Sequence, residues 1–302
     1  MYYLTIGTYD GVHRGHLEII KTLLKNASKL KVKSALIYFP IPPRFFLSGN
    51  IYGNLLTTPK ERLEILRNEG IENISAIEFD KKISDMSADD FLKKILIEKY
   101  NVTGIVVGRD FALGHMREGN VHFLEKKSFE MGIEFKVVDF IRYEEHKISS
   151  SLIRNFLHKG DIEKANYCLS RAYFINGRVV RGAGLGKQIG FPTANLEIDP
   201  LKLTPHGVFS VEVLYNKKYY KGIANIGHRP TLNTLKSKLI TEVHIFDFDK
   251  DIYGENIEIF FNAKIMDEMK FSSVKELVSK IKEDISYCRK LKNPPFTTAY
   301  GS

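Results

Sequence analysis

The period of the hydrophobic pattern changes near residue 170, and this constrains the fold more than any other feature of the chain. Before that point, apolar strands alternate with amphipathic helices; after it, short alternating runs dominate until a last helix. In the first half, Tyr2 to Ile6, Ser34 to Phe39, Gly104 to Gly108 and Phe135 to Phe140 read as strands. Leu17, Ile20, Leu23, Leu24 and Ala27 recur at helical spacing, and Pro59 to Glu69 and Ala88 to Tyr100 read as further helices. This alternation predicts a parallel sheet that binds ligands beyond the carboxyl ends of its strands. In the second half the runs Tyr173 to Arg181, Val208 to Tyr215, Tyr219 to Ile226, Ile240 to Phe248 and Ile257 to Ile265 predict an antiparallel barrel. A helix from Ser273 to Arg289, with Val274, Leu277, Val278, Ile281 and Ile285 on one stripe, should close it. The expected fold class is α/β plus all-β, with domains at 1–165 and 166–302 and the boundary in the helical Asp161 to Ser170 segment.

The first strand runs into Gly7-Thr8-Tyr9-Asp10-Gly11-Val12-His13-Arg14-Gly15-His16, placing two histidines at a strand-to-helix turn. Such a turn aims free backbone N–H groups at an anion. Imidazoles three residues apart share one face of the first helical turn, and Gly11 and Gly15 let phosphates approach closely. The pattern suits a triphosphate attacked at its α-phosphorus. A bare His-x-x-His is also half a metal site or an incidental pair, although no third ligand lies nearby in sequence.

Three further stretches carry chemistry. Ile148 to Arg154 reads as serines opening a helix with Arg154 one turn inside, so Ser149, Ser150 and Arg154 either hold terminal phosphates or merely cap the helix. Gly108-Arg109-Asp110-Phe111 forms a second turn beyond a strand, suited to a second substrate or an adenine, and is weak evidence by itself. The segment from Arg181 to Asn195 is rich in glycine, yet Lys187 stands where the dinucleotide fingerprint needs its last glycine, and Arg181 and Gln188 break the P-loop pattern. What remains is a flap bearing a cation and ending in Pro192-Thr193-Ala194-Asn195. There a hydroxyl and an amide oxygen two residues apart on extended chain face one side, as hard ligands suited to Mg²⁺ carried by phosphates. Read as a bare tetrapeptide, it is a turn.

The net charge of +9 favours anionic partners without choosing among them. Two cysteines give no disulfide framework, no secretory leader is recognisable, and no run approaches the ~18 apolar residues of a membrane span, so a cytoplasmic protein is expected.

With the histidine run, Val107 to Phe111, Ile148 to Arg154, Gly186 to Asn195, Gly207 to Phe209, Asn225 to Thr231, Glu242 to His244 and Asp251 to Gly254 all present in one order, the chain resembles the prokaryotic bifunctional riboflavin kinase/FAD synthetases. The resemblance implies an N-terminal Rossmann-like HxGH nucleotidyltransferase domain that joins FMN to the adenylyl group of ATP, and a C-terminal riboflavin kinase barrel. Carried over residue by residue, it implies His13 and His16 at the α-phosphate. Gly7, Asp10, Gly15, Ser149, Ser150 and Arg154 would then bind the nucleotide, and Gly108, Asp110 and Phe111 the second substrate. In the barrel it implies Thr193 and Asn195 on Mg·ATP, Glu242 as the base on riboflavin, and Gly182, Lys187, Gly190, Pro192, Asn225, Gly227, Arg229 and Tyr253 around ATP and flavin. Riboflavin, FMN, FAD and ATP are the implied small-molecule partners. No nucleic acid, membrane or self-assembly is called for.

The sequence departs from the family in three places. Phe39 to Pro43 lacks the histidine usual between two prolines, Ser151 replaces threonine, and Lys187 replaces arginine, keeping charge but losing the bidentate fork. Two rival readings are another nucleotidyltransferase with an unrelated β domain, and a single-strand nucleic-acid binder using barrel aromatics such as Tyr219, Tyr220, Phe246 and Phe248.

Overall fold

A computed structural model describes residues 1–229 and 238–291 of the chain, which divides into two compact units, Met1–Leu152 and a second from Ile153 onward. In the first unit, β1 (Tyr2–Gly7), β2 (Lys33–Tyr38), β3 (Asn73–Ala76), β4 (Val102–Gly108) and, after the short ribbon of β5 (Ala112–Leu113) and β6 (Gly119–Asn120), β7 (Glu134–Val138) form one sheet in the order β3-β2-β1-β4-β7. Every pairing is parallel. Leu4, Ile6, Ile37, Ile105 and Val107 are buried against Phe91, Leu92 and Leu96.

The chain leaves β1 toward β2 on one side, while β4 pairs with β1 on the other, so the strand order reverses at β1. The crevice beyond the carboxyl ends of such a pair is where open α/β sheets bind ligands. Both the histidine turn, after β1, and the Gly108 to Phe111 turn, after β4, open into this position.

Two differences from expectation concern a sheet edge and the helix at 88–100. β3 was not anticipated, because Asn-Ile-Ser-Ala at a half-buried sheet edge offers no apolar run. The expected helix at 88–100 is continuous but not uniform: Phe91–Ile97 is wound as a π-helix between the short α-helical stretches Ala88–Asp90 and Glu98–Tyr100.

After the hairpin of β8 (Arg142–Tyr143) and β9 (His146–Lys147), helices Ser150–Lys159 and Ile162–Leu169 lead into the barrel. Ile162 and Ala165 are fully buried, Asn166 Nδ2 donates to the Phe261 carbonyl at 2.9 Å, and Asn166 Oδ1 accepts from the Tyr173 amide at 2.7 Å. These ties make helix Ile162–Leu169 part of the second unit, which begins at Ile153 within the preceding helix, earlier than the 165/166 boundary read from sequence.

The barrel has six strands, β10 (Phe174–Val180), β11 (Ala194–Ile198), β12 (Gly207–Tyr215), β13 (Lys218–Arg229), β14 (Lys238–Ile245) and β15 (Asn256–Met266), closed in the order β10-β11-β14-β13-β12-β15. All its pairings are antiparallel. β11 is the strand the hydrophobic pattern did not separate, since only Leu196 of its five residues is buried. Helix Val274–Lys290 packs on the barrel, opened by Ser273, whose Oγ accepts from the Glu276 amide at 3.2 Å. The expected stripe needs correction at its start: Val274 is exposed, whereas Leu277, Val278, Ile281 and Ile285 are half-buried and Cys288 is buried.

Two candidate nucleotide sites

The histidine turn is a tightly wound loop. Tyr9 (φ 50°), Gly11 (φ 86°) and Val12 (φ 39°) all lie in left-handed backbone space. For a β-branched valine this conformation is strained, and such strain persists only where surrounding contacts over-determine it. The contacts are present: Gly11 donates its amide to Thr57 Oγ1 at 3.0 Å, Tyr9 accepts from the Val12 amide at 3.0 Å, and the Tyr9 hydroxyl shares a 2.6 Å bond with Thr5. Burial raises the Tyr9 pKa far above its ordinary value, so the phenol keeps its proton.

His13 caps helix Arg14–Leu30, its Nδ1 accepting from the His16 amide at 3.4 Å. That role makes Nδ1 the bare nitrogen of the neutral ring and Nε2 the donor. The two imidazoles stack at 3.6 Å between centroids, and the Tyr9 ring packs on His16 at 4.9 Å. At Gly15 a Cβ would sit 3.2 Å from the His13 ring, so the ring would have to shift by a few tenths of an ångström. At Gly7, a Cβ would come within 3.1 Å of the Tyr9 ring.

Asp10, expected among the nucleotide-binding residues, turns inward instead. It is 1% exposed, and its carboxylate accepts from the Leu56 and Thr57 amides, the Thr57 hydroxyl and, at 3.1 Å, Arg62 Nη2. Arg62, fully buried, also donates to the carbonyls of Thr8, Phe39, Pro40 and Thr57 and to Thr57 Oγ1. Burial lowers its pKa, and the adjacent Asp10 charge opposes that shift. One guanidinium therefore joins the turns following β1 and β2 to the start of helix Pro59–Asn68. Sequence reasoning missed Arg62, because a basic residue on a charged helix resembles a solvated face. The available signal was Thr58-Pro-Lys-Glu61, which forms a capping box just before it.

The serine segment folds against the same turn. Ser149 Oγ accepts from the Leu152 amide at 3.2 Å, which is a cap, while Ser150 Oγ donates to the Asp10 carbonyl at 2.8 Å. Ser151 Oγ accepts from Arg44 Nη1 at 3.0 Å. Arg44 directly follows the prolines where the family's histidine is absent, so a cation from that loop still reaches the serines. Arg154 is buried one turn further along the helix. In the other turn, Asp110 pairs with Lys147 and its carbonyl accepts from Arg117 at 2.9 Å. The Phe111 amide closes the loop on the Gly108 carbonyl at 3.0 Å, and the Phe111 ring packs partly on the core.

In the barrel, strand register assembles the second site. Asn195 of β11 pairs with Glu242 of β14, which pairs with Asn225 of β13, so the three stand in one row across adjacent strands. Their neighbours Leu196, Thr241, Val243, Ala224 and Ile226 are buried, so the row faces away from the barrel core. The flap lies on this row. A Cβ at Gly182 would be 2.2 Å from Asn195 Nδ2, and one at Gly186 would be 2.4 Å from the Phe191 carbonyl and 3.2 Å from Thr193 Oγ1. Gly184 (φ 73°) and Gly190 (φ 88°) bracket helix Leu185–Gln188, which carries Lys187.

At the start of the flap, Tyr253 is 52% exposed with the Arg181 guanidinium 5.2 Å above its ring. Gly227 is buried, and the Glu268 carboxylate fills the space a Cβ would take. Arg229 ends β13; its side chain and the expected Pro230-Thr231 lie outside the described residues. His244 Nδ1 lies 2.8 Å from the Pro192 carbonyl, a contact the sequence did not reveal.

Thr193 and Asn195 supply neutral hard oxygens on one face, which suits Mg²⁺ arriving with polyphosphate rather than held by a carboxylate cage. Among the described residues, no group of three or more His, Cys, Asp or Glu could hold a metal ion. Of the aromatics of the nucleic-acid reading, Phe248 packs edge-on to Tyr215 and Tyr220 at 5.8 and 5.1 Å, Phe246 is 3% exposed beneath Arg289, and Tyr219, 42% exposed, packs on Phe260 at 5.9 Å. No helix among the described residues is long and apolar enough to cross a membrane.

Comparison with known proteins agrees with this division. Residues 1–152 match the family model described as FAD synthetase, and residues 169–292 the model described as riboflavin kinase. A bifunctional riboflavin kinase/FMN adenylyltransferase of Buchnera aphidicola subsp. Schizaphis graminum is 35% identical, covering 96% of this chain and 94% of its own. That of Escherichia coli K12 is 34% identical over 93% of this chain and 90% of its own. A solved Streptococcus pneumoniae structure, titled a macrolide-efflux protein, superposes with a TM-score of 0.87 at 30% identity, covering 96% of this chain and 94% of that one. Both family models and these near-full-length relatives place the chain in the family of bifunctional riboflavin kinase/FMN adenylyltransferases.

Proposed function

We propose that the barrel phosphorylates riboflavin to FMN with ATP, and that the N-terminal unit transfers the adenylyl group of a second ATP to FMN, giving FAD and pyrophosphate. Two separate constellations support this reading: the stacked His13–His16 pair at a helix N-terminus beyond β1, and the Asn195–Glu242–Asn225 row beneath a glycine flap.

In the N-terminal unit the FMN phosphate is itself the nucleophile, so the protein supplies position and charge stabilisation. The Nε2 donor of His13, with His16 stacked beside it, faces the negative charge that develops on the α-phosphate. Ser149, Ser150 and Arg154 lie on the helix that receives the leaving pyrophosphate. In the barrel, Glu242 takes the proton from the 5′-hydroxyl of the ribityl chain as that oxygen attacks the γ-phosphate. Thr193 and Asn195 would hold Mg²⁺, which when bound offsets polyphosphate charge. Asp10 acts by anchoring the histidine turn rather than by touching phosphate. The buried free thiols Cys168 and Cys288 suit a reducing cytoplasm, where we place the enzyme.

The test is a time course with riboflavin, ATP and Mg²⁺, the flavins being separated by chromatography. FMN should appear before FAD. Replacing both His13 and His16 by Ala should cut adenylyl transfer by ~100-fold or more and leave riboflavin phosphorylation intact. Glu242→Gln should stop FMN formation while supplied FMN still becomes FAD. Loss of both activities from either folded variant would overturn the two-site assignment.

A further inference from the structure

The kinase site depends on where the flap hands over to β11, because Thr193 begins that strand's approach and Asn195 lies two residues on. Pro192 has no amide hydrogen, so its own nitrogen cannot tie this junction down. The junction is held from the other side. His244, two residues beyond Glu242 and on the same face of β14, places Nδ1 2.8 Å from the Pro192 carbonyl. The carbonyl can only accept, so Nδ1 carries the hydrogen. The half-buried imidazole meets the Phe191 ring edge-on at 5.8 Å and the Phe246 ring at 5.7 Å, which fixes its plane. With Ala194 opposite Val243 and Asn195 opposite Glu242, continuation of the register sets Thr193 opposite His244.

We propose that His244 is a positioning residue of the kinase site: its Nδ1–H holds the Pro192 carbonyl and thereby sets Thr193 and Asn195 at their working distance from Glu242. This rests on the kinase reading of the barrel. Glu242 and His244 then work from one strand face, the first on the flavin hydroxyl and the second on the segment that receives Mg·ATP. An outer partner of this kind is typically worth about 10–100-fold in ligand affinity or activity.

The discriminating experiment uses two substitutions in the full chain. Asn places its amide nitrogen where histidine has Nδ1, whereas Gln reaches toward the position of Nε2. His244→Asn should retain riboflavin phosphorylation within a few-fold of the unmodified enzyme. His244→Gln should raise the KM for Mg·ATP about tenfold or more, with a smaller change in the KM for riboflavin. Conversion of supplied FMN to FAD should be unchanged in both, and an unchanged thermal unfolding transition of the barrel reports that this unit is folded. Hydrogen exchange provides a readout independent of activity: the amides of residues 193–195 should exchange faster in the Gln variant and as in the parent for Asn. Equal behaviour of the two variants, or better retention by Gln, overturns the assignment. If the unmodified protein made no FMN, the kinase reading would fail, while the exchange pattern would still judge the hydrogen bond.

Discussion

The two sites proposed here for the polyphosphate of ATP are opposite constructions. The N-terminal site is a strained turn locked from behind: Asp10 and Arg62 are sunk in the protein, and the loops after β1 and β2 converge on one guanidinium. The barrel site is laid on an outward face, with Asn195, Glu242 and Asn225 aligned by strand register and covered by a flap whose Leu185 is 55% exposed. The first construction puts its geometry at the mercy of one buried ion pair. The second distributes it over a ladder of backbone hydrogen bonds, leaving only the flap to adjust. A single substitution should therefore unmake the first site through stability, whereas the second should lose activity without losing its fold.

Arg62→Ala tests the first half of that contrast and carries the largest expected cost. Removing one partner of a buried pair leaves Asp10 uncompensated, which typically costs about 3–5 kcal/mol. The loss of hydrogen bonds to the Thr8, Phe39 and Pro40 carbonyls adds unsatisfied acceptors. Denaturant unfolding followed by adenylyltransferase assay should show a destabilised N-terminal unit. A cost below about 1 kcal/mol would mean that the turn does not depend on this pair.

Gly182→Ala tests the second half. The new methyl group would fall 2.2 Å from Asn195 Nδ2, the movable end of a side chain rather than backbone, and the Gly182 φ is not left-handed. Asn195 should swing aside with little change in melting temperature. Displacing a ligand group by about 1 Å is enough to slow catalysis on the order of 10–100-fold, seen as loss of FMN formation with FAD synthesis from supplied FMN retained. A variant that melts early and phosphorylates normally would reverse the comparison.

Legibility in the sequence follows the same division. The parallel sheet, the barrel, the histidine turn and the closing helix were readable because each combines a hydrophobic period with turn residues. β3 was not, being Asn-Ile-Ser-Ala at an edge, and β11 was not, because in Ala194–Ile198 only Leu196 is buried, so no apolar alternation marks the strand. Asp10 was read as a nucleotide contact, and its carboxylate is held by Arg62, 52 positions away; no local pattern announces a pairing over that distance. His244 escaped for the same reason, since its partner is a backbone carbonyl 52 positions back.

The smallest effect concerns the other kind of ion pair. Arg289 on the closing helix meets Asp247 with two bonds of 2.8 Å and lies over the Phe246 ring at 4.9 Å. Both partners stand in solvent, in contrast to Asp10 and Arg62. The hydrogen bond and charge of Arg289 hold the Asp247 pKa below the usual carboxylate range. A carboxyl group whose pKa is depressed by folding contributes stability above its unfolded value, about 3.9, and loses that contribution as the pH falls through the folded value. Asp247→Asn should therefore lower the melting temperature by no more than about 1–2 °C at neutral pH, because exposed pairs contribute little. The difference from the parent should fade as the pH falls below about 3.9 and through the depressed folded value, where the parent carboxylate in turn takes up its proton. Added salt should shrink it at neutral pH as well, since solvent-exposed charges are screened. A loss as large as that of Arg62→Ala would show that the closing helix is fastened to the barrel by this pair, and that surface and buried pairs carry equal weight in the chain.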